Sequence, residues 1–211
     1  MNLSKSQIQL RQQLTDEYNI NLYSASEPRI SKELFLHFLS KKTGISKYEL
    51  RQMRTYRSLI IIGDLILPYV NFKTATFQKL LNKFRGATIE PQNTKGGFKY
   101  SARYRGVKTD FGLGGIHGAR EAGVYESDSE NIIMSSDVTS FYPNLAIKNG
   151  WSPRHIPTKE FRNQYEWFFE ERKKIPKSDP KNYVYKIILN STYGLCNDKN
   201  SFLYDPKFTM K

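Results

Sequence analysis

The sequence has a single cysteine, Cys196, which excludes a disulfide within the chain and suits a reducing compartment. Its opening, MNLSKSQIQLRQQL, is polar and amphipathic and does not read as a secretory leader. Long apolar runs are also missing. The longest, LIIIGDLILPYV at 59–70, is interrupted by Asp64 and Pro68. It falls short of the ~20 residues a membrane-spanning helix needs and reads as buried core. No repeat or low-complexity tract occurs. Acidic residues are scarce: 20 Asp and Glu face 33 Lys and Arg, a formal charge of +13. Such a surplus points to a polyanionic partner, most simply nucleic acid, because neutralising phosphates releases their counterions. A basic protein without that partner is the plainer reading.

What the chain does contain is apolar material for a core, 38% hydrophobic and 14% aromatic over 211 residues, enough for one large domain or two small ones. Residues 1–85 read as mostly helical. Leu34, Phe35, Phe38 and Leu39 form one stripe that closes at Gly44. Ser46 and Glu49 have capping-box spacing. Phe77, Leu80, Leu81 and Phe84 mark a buried helix face. From Gly86 the character changes. KGGFKYSARYRGVKTDFGLGGIHG, 95–118, is rich in glycine, aromatics and basic residues and reads as short strands and loops. Two-residue spacing puts Lys99, Arg103 and Arg105 on one face of a strand and Tyr100 and Tyr104 on the other. A basic ribbon with aromatics suits a phosphate backbone; an ordinary solvated strand gives the same pattern. ESDSEN, 126–131, reads as a turn, and NIIMSSD, 131–137, as a half-buried strand ending in Asp137.

After Pro157 the helical period returns. Thr158 is placed to cap a helix that carries Phe161, Tyr165, Phe168 and Arg172 on one side. PKSDP, 176–180, interrupts it, and a second helix follows over 181–194, completing an α-hairpin. On that second helix Lys186, Asn190 and Tyr193 stand at i, i+4 and i+7, one face offering an ammonium, an amide and a phenol. The ammonium suits a phosphate and the ring a base or sugar. A solvated helix edge is the plainer reading.

These residues resemble family B DNA polymerases. KIILNSTYG, 186–194, matches the family's K-x-x-x-N-S-x-Y-G motif at every fixed position, and DVTSFYPN, 137–144, is similar to D-x-x-S-L-Y-P-S, with Phe141 for Leu and Asn144 for Ser. GLGGIHG, 112–118, is similar to the Y-x-G-G motif of phage members, with Gly112 in place of the tyrosine. Arg172 resembles the basic residue of the first fingers helix. The order of the motifs is the family's.

The resemblance implies an α+β fold: a helical segment (1–85) like that linking nuclease and palm, the N-terminal part of a mixed α/β palm with antiparallel strands (86–158), a two-helix fingers hairpin (159–194) and the start of a return to the palm (195–211). It implies that Asp137, with the Val138 carbonyl, binds Mg²⁺ as the catalytic acid. Ser140, Phe141, Tyr142, Arg172, Lys186, Asn190 and Tyr193 would bind the incoming dNTP, with Tyr142 beneath the sugar as the selector of deoxynucleotides. Gly114, Gly115 and Gly194, with Lys99, Arg103 and Arg105, would contact the DNA primer-template. The 49 positions from Asp137 to Lys186 leave little room for the extra subdomain of protein-primed members, which favours a phage polymerase without it. The family's second acid, in Y-x-D-T-D, has no counterpart in the 211 residues, and no acidic set of a proofreading nuclease is found. The chain is therefore expected to be an incomplete polymerase, inactive alone and completed by a further segment or a second polypeptide, in the cytoplasm of a phage-infected or mobile-element host. Two rivals stand beside this reading: a non-catalytic basic nucleic-acid-binding protein with a degenerate polymerase fold, and a helical interaction protein whose motif matches are coincidental.

Overall fold

The computed structural model describes residues 4–91, 99–112, 115–138 and 140–211. Along the chain these form α1 (Lys5–Tyr18), α2 (Glu27–Thr43), α3 (Lys47–Gln52), β1 (Ile60–Ile61), α4 (Ala75–Arg85), β2 (Thr88–Ile89), β3 (Lys99–Tyr104), β4 (Val107–Gly112), β5 (Gly115–Ala119), α5 (Phe141–Asn149), α6 (Thr158–Lys174), α7 (Pro180–Leu195) and α8 (Pro206–Thr209). The class is mixed, with eight α-helices and two small antiparallel sheets among the described residues, compatible with α+β. None of these helices is long and apolar enough to cross a membrane.

Two compact units divide the chain, one of residues 1–56 and 140–209, the other of residues 57–139 and 210–211. The first is helical. Its centre is α2, where Leu34, Phe35, Leu36 and Leu39 are fully buried. The Phe35 ring lies 5.4 Å from that of Phe161 and 6.1 Å from that of Phe168, on α6. Dispersion and water exclusion over these rings hold the early helices to the late hairpin. Residues 1–56 therefore belong with α6 and α7, whereas the sequence suggested a separate helical segment running on to residue 85. The expected stops are in place: Gly44 closes α2 at φ 72°, and Ser46 with Glu49 makes a reciprocal capping box on α3. The cap of α6 falls one residue early. Pro157 is its N-cap, and the Thr158 hydroxyl meets Ser152 Oγ at 2.8 Å. Asp179 caps α7, with Pro180 at the first helical position, where its missing N–H costs nothing.

Behind the hairpin, residues 201–206 are buried. His155 ties them in: its Nε2 donates to the Phe202 carbonyl at 2.7 Å, which leaves Nδ1 to accept from the Thr55 hydroxyl at 2.8 Å. The Asp205 carboxylate accepts from the backbone N–H groups of Arg154 and Lys207, at 3.0 and 3.2 Å. Asp205 thus has a structural place in this unit, at the start of α8.

In the second unit β1 and β2 pair antiparallel over a small core of Ile60, Ile62, Leu65 and Ile89. The run 59–70 is only partly the buried core expected, since Leu59, Ile61 and Tyr69 face solvent. Strands β3, β4 and β5 form an antiparallel meander with Arg103 opposite Lys108 and Asp110 opposite His117. One side packs aromatic rings on α4: Tyr100 on Phe84 at 5.2 Å and Tyr104 on Phe77 at 5.8 Å.

The segment 131–138 departs from expectation. It is irregular and exposed, with Ile132 at 78% and Met134 at 82% accessibility. A short apolar run such as Ile132, Ile133 and Met134 can suggest a strand, but a strand also needs a neighbour to take its N–H and C=O groups. None pairs with this segment among the described residues. The turn before it is present: the Asp128 carboxylate accepts from the N–H groups of Glu130 and Asn131 at 2.8 and 2.7 Å.

Candidate functional site

Within the helical unit, side chains from the two longest motifs meet. SFYPN does not make a simple sharp turn; it is the beginning of α5. Ser140 occupies the N-cap with φ 51° and ψ 52°, and no side chain caps the helix. The first-turn N–H groups of Phe141 and Tyr142 therefore have no intrahelical carbonyl to bond, and no acid stands in that turn. Pro143 is buried and anchors the turn, while Phe141 and Tyr142 stay about half exposed.

The Tyr142 ring stacks on that of Tyr193 from α7, with centroids 4.5 Å apart and planes at 25°. The Tyr193 hydroxyl donates to the Thr209 carbonyl at 2.6 Å. Burial, with Tyr142 adding to it, pushes the Tyr193 phenol up to about 12. Lys186 and Asn190 are exposed two turns and one turn before Tyr193, and their side chains hold no hydrogen bond or ion pair among the described residues. Behind them Ile188 and Leu189 are fully buried, so the division of α7 into an outward polar face and an inward apolar one is as the spacing implied. Gly194 is exposed with open space above its Cα.

From α6, Arg172 reaches the start of α5. Its Nη1 donates to Ser140 Oγ at 3.4 Å and its Nε to Asn182 Oδ1 at 3.3 Å. Asn182 has no place in the motif and was missed from sequence. The one available signal was an amide three residues past the α7 cap, at a position its helical phase turns inward.

The remaining expected residues lie in the second unit. Asp137 and Val138 are exposed on the irregular stretch. Among the described residues no group of three or more His, Cys, Asp or Glu side chains gathers there or elsewhere. The donors offered, a carboxylate and a main-chain carbonyl, are the hard oxygens Mg²⁺ accepts, and Mg²⁺ keeps several waters of its own. They fit one carboxylate's share of a magnesium site.

Lys99 and Arg103 share the outward face of β3. Each has an acidic partner: Arg103 meets Glu121 at 3.1 Å, and Asp110 lies 3.6 Å from both Lys99 and Lys108. Arg105 is not on that face. It stands with Gly106 in the two-residue β3–β4 turn, at φ 48° and 76°, and its guanidinium lies 5.3 Å over the Tyr104 ring. A two-residue hairpin turn needs left-handed backbone at both positions, which ends the strand alternation at Tyr104. Gly115 begins β5 at φ 140°, a conformation open to glycine. Gly114 lies outside the described residues.

Compared with known proteins, the chain matches no family model, no curated protein and no solved structure.

Proposed function

We infer that the chain is part of a family B DNA-directed DNA polymerase, adding dNTPs to a primer 3′ end on a DNA template. What supports the reading is one meeting of side chains: Tyr142 and Ser140 of the first motif stand against Tyr193 of the second and Arg172 of the hairpin. Chance motif matches carry no reason to converge, whereas a nucleotide site requires it.

In this reading Arg172 and Lys186 hold the triphosphate, helped by the uncapped N–H groups of α5. Tyr142 lies under the deoxyribose and leaves no room for a 2′ hydroxyl. Tyr193 covers the new base pair, and Asn190 orients the sugar or phosphate. The primer 3′ oxygen attacks the α-phosphorus, the bond to the bridging oxygen breaks, and pyrophosphate leaves. Asp137 and the Val138 carbonyl would hold Mg²⁺, which supplies charge neutralisation at the reacting phosphates. The second carboxylate would come from a further segment or a second polypeptide, in the cytoplasm of a phage-infected or mobile-element host. The outward face of β3 and β4 would lie along the primer-template backbone.

The test is photocrosslinking with an azido-dNTP, with and without primer-template. Labelling of Tyr142 or Tyr193 that unmodified dNTP competes away supports the reading. DNA binding without competed label points instead to a non-catalytic nucleic-acid-binding protein, and neither label nor DNA binding to a helical interaction protein.

A further inference from the structure

Asn182 is buried, at 7% accessibility, where α6 ends and α7 begins, and every polar atom of its amide is used. Its Nδ2 donates to the carbonyls of Arg172 and Ile175, at 3.1 and 2.7 Å. These carbonyls lie at the C-terminal end of α6, where intrahelical partners run out, and that of Arg172 also accepts from the Ile175 N–H at 3.3 Å. Its Oδ1 accepts from Arg172 Nε at 3.3 Å. One amide thus grips the same arginine at its main-chain carbonyl and at its guanidinium, and Arg172 extends from that grip to Ser140 Oγ.

We propose that Asn182 is a positioning residue that holds the Arg172 guanidinium at the start of α5, ready for phosphate, without cancelling its charge. The proposal rests on the reading of Arg172 as a phosphate clamp. A free arginine loses ~2 kcal/mol of side-chain freedom when it is ordered by a ligand. A side chain already fixed at Nε has met most of that cost, and its Nη groups, one of them on Ser140 Oγ at a long 3.4 Å, can turn to an anion. The neutrality of the amide is the second half of the argument. A carboxylate at 182 would orient the guanidinium equally well, but it would form an ion pair with it and compete with the ligand. It would also set negative oxygens against two carbonyls that now receive N–H donors. The neighbouring acids are engaged elsewhere: Glu170 pairs with Lys173 and Glu171 with Lys174. Among the described residues no carboxylate pairs with Arg172, so its full charge faces Ser140.

The experiment measures binding of inorganic triphosphate to the full chain by calorimetry, for the wild type, Asn182→Ala, Arg172→Ala and the double variant. Arg172→Ala is expected to weaken binding about tenfold and Asn182→Ala about three- to tenfold, with the double variant no weaker than Arg172→Ala alone. A merely structural asparagine would lower affinity by the same factor in both backgrounds, which would overturn the proposal. If Arg172→Ala binds like the wild type, the phosphate-clamp reading fails and the positioning role fails with it. Asn182→Asp is expected to weaken binding too; unchanged or tighter binding overturns the neutrality argument. Should the alanine variant not fold, the wild type still answers by NMR. The Arg172 Nε–H is expected to exchange slowly with solvent before any triphosphate is added, and rapid exchange would overturn pre-positioning.

Discussion

Tyr142 and Tyr193 stack face to face at 4.5 Å, and the second is tied through its hydroxyl to the Thr209 carbonyl. The two rings occupy each other, so a nucleotide bound as proposed between α5 and α7 would have to take the place of this contact. A stacked aromatic pair is worth ~0.5–1.5 kcal/mol beyond its buried area, a modest toll for entry. Tyr142→Val removes the ring proposed to lie beneath the sugar. The variant is expected to bind dATP and ATP with nearly equal affinity and the wild type to prefer dATP, as measured by competition against a fluorescent dNTP. Unchanged preference would remove Tyr142 from the role of sugar selector.

Lys186 is exposed and unpaired among the described residues, so replacing it breaks no packing. Charged hydrogen bonds to phosphate contribute ~1.5–3 kcal/mol. Lys186→Ala is therefore expected to weaken dNTP binding about ten- to a hundredfold while primer-template affinity changes little. Equal losses for both ligands in parallel titrations would make Lys186 a general cation and not a nucleotide contact.

The basic face of the sheet is partly neutralised by its own acids, and this gives a prediction that runs upward. Glu121 holds Arg103 at 3.1 Å on the surface, where such a pair adds only ~0–1 kcal/mol of stability. Glu121→Gln frees the guanidinium. If this face follows the DNA backbone, affinity rises and the slope of log K against log salt steepens by about one unit per freed phosphate contact. Arg103→Ala moves both quantities the other way. A slope indifferent to both substitutions would place the DNA elsewhere.

The parts legible in the sequence were those set by local periodicity. Lys186, Asn190 and Tyr193 share a face because α7 is regular, and Gly44, Ser46 and Glu49 stop and start helices by their own backbone chemistry. The errors arose where a neighbour decides. Ile132, Ile133 and Met134 form a short apolar run of the kind a strand carries but have no strand beside them among the described residues, and Arg105 lost its place in the alternation of β3 to a turn closed by Gly106. The grip of Asn182 on Arg172 depends on two helices meeting end to end, which no spacing within one helix encodes. That α2 belongs with α6 was hidden in the same way: the stripe around Phe35 announces a buried face but not what buries it.

That last contact can be tested directly. Phe35 is completely buried against Phe161, Tyr165 and Phe168. Phe35→Ala is expected to destabilise the protein by ~3–5 kcal/mol, the range for emptying a buried aromatic site. Hydrogen exchange in residues 158–195 should speed up as much as in α2 itself. Loss of protection confined to residues 1–56 would mean that the early helices fold apart from the hairpin.

The His155 bridge sets a dependence on pH. Burial holds its imidazole below the ordinary 6.5, the neighbouring Phe202 carbonyl and Asp205 opposing this only in part, so the folded chain keeps it neutral. In the unfolded chain the same ring takes up a proton near 6.5. Between the two values the unfolded state binds more protons, so stability is complete above about pH 6.5 and falls as the pH drops through the folded value, by up to about 1.4 kcal/mol per pH unit for each proton. His37, also lowered by burial, acts in the same direction. The Glu17 and Asp110 carboxyls are lowered as well, and their contribution is lost only at more acidic pH. Urea midpoints are therefore expected to decline between pH 7.5 and 5.5. His155→Gln should be less stable at pH 7.5, where the bridge is intact, yet decline more shallowly. A variant whose midpoints run parallel to the wild type across this range would show that His155 titrates alike in both states.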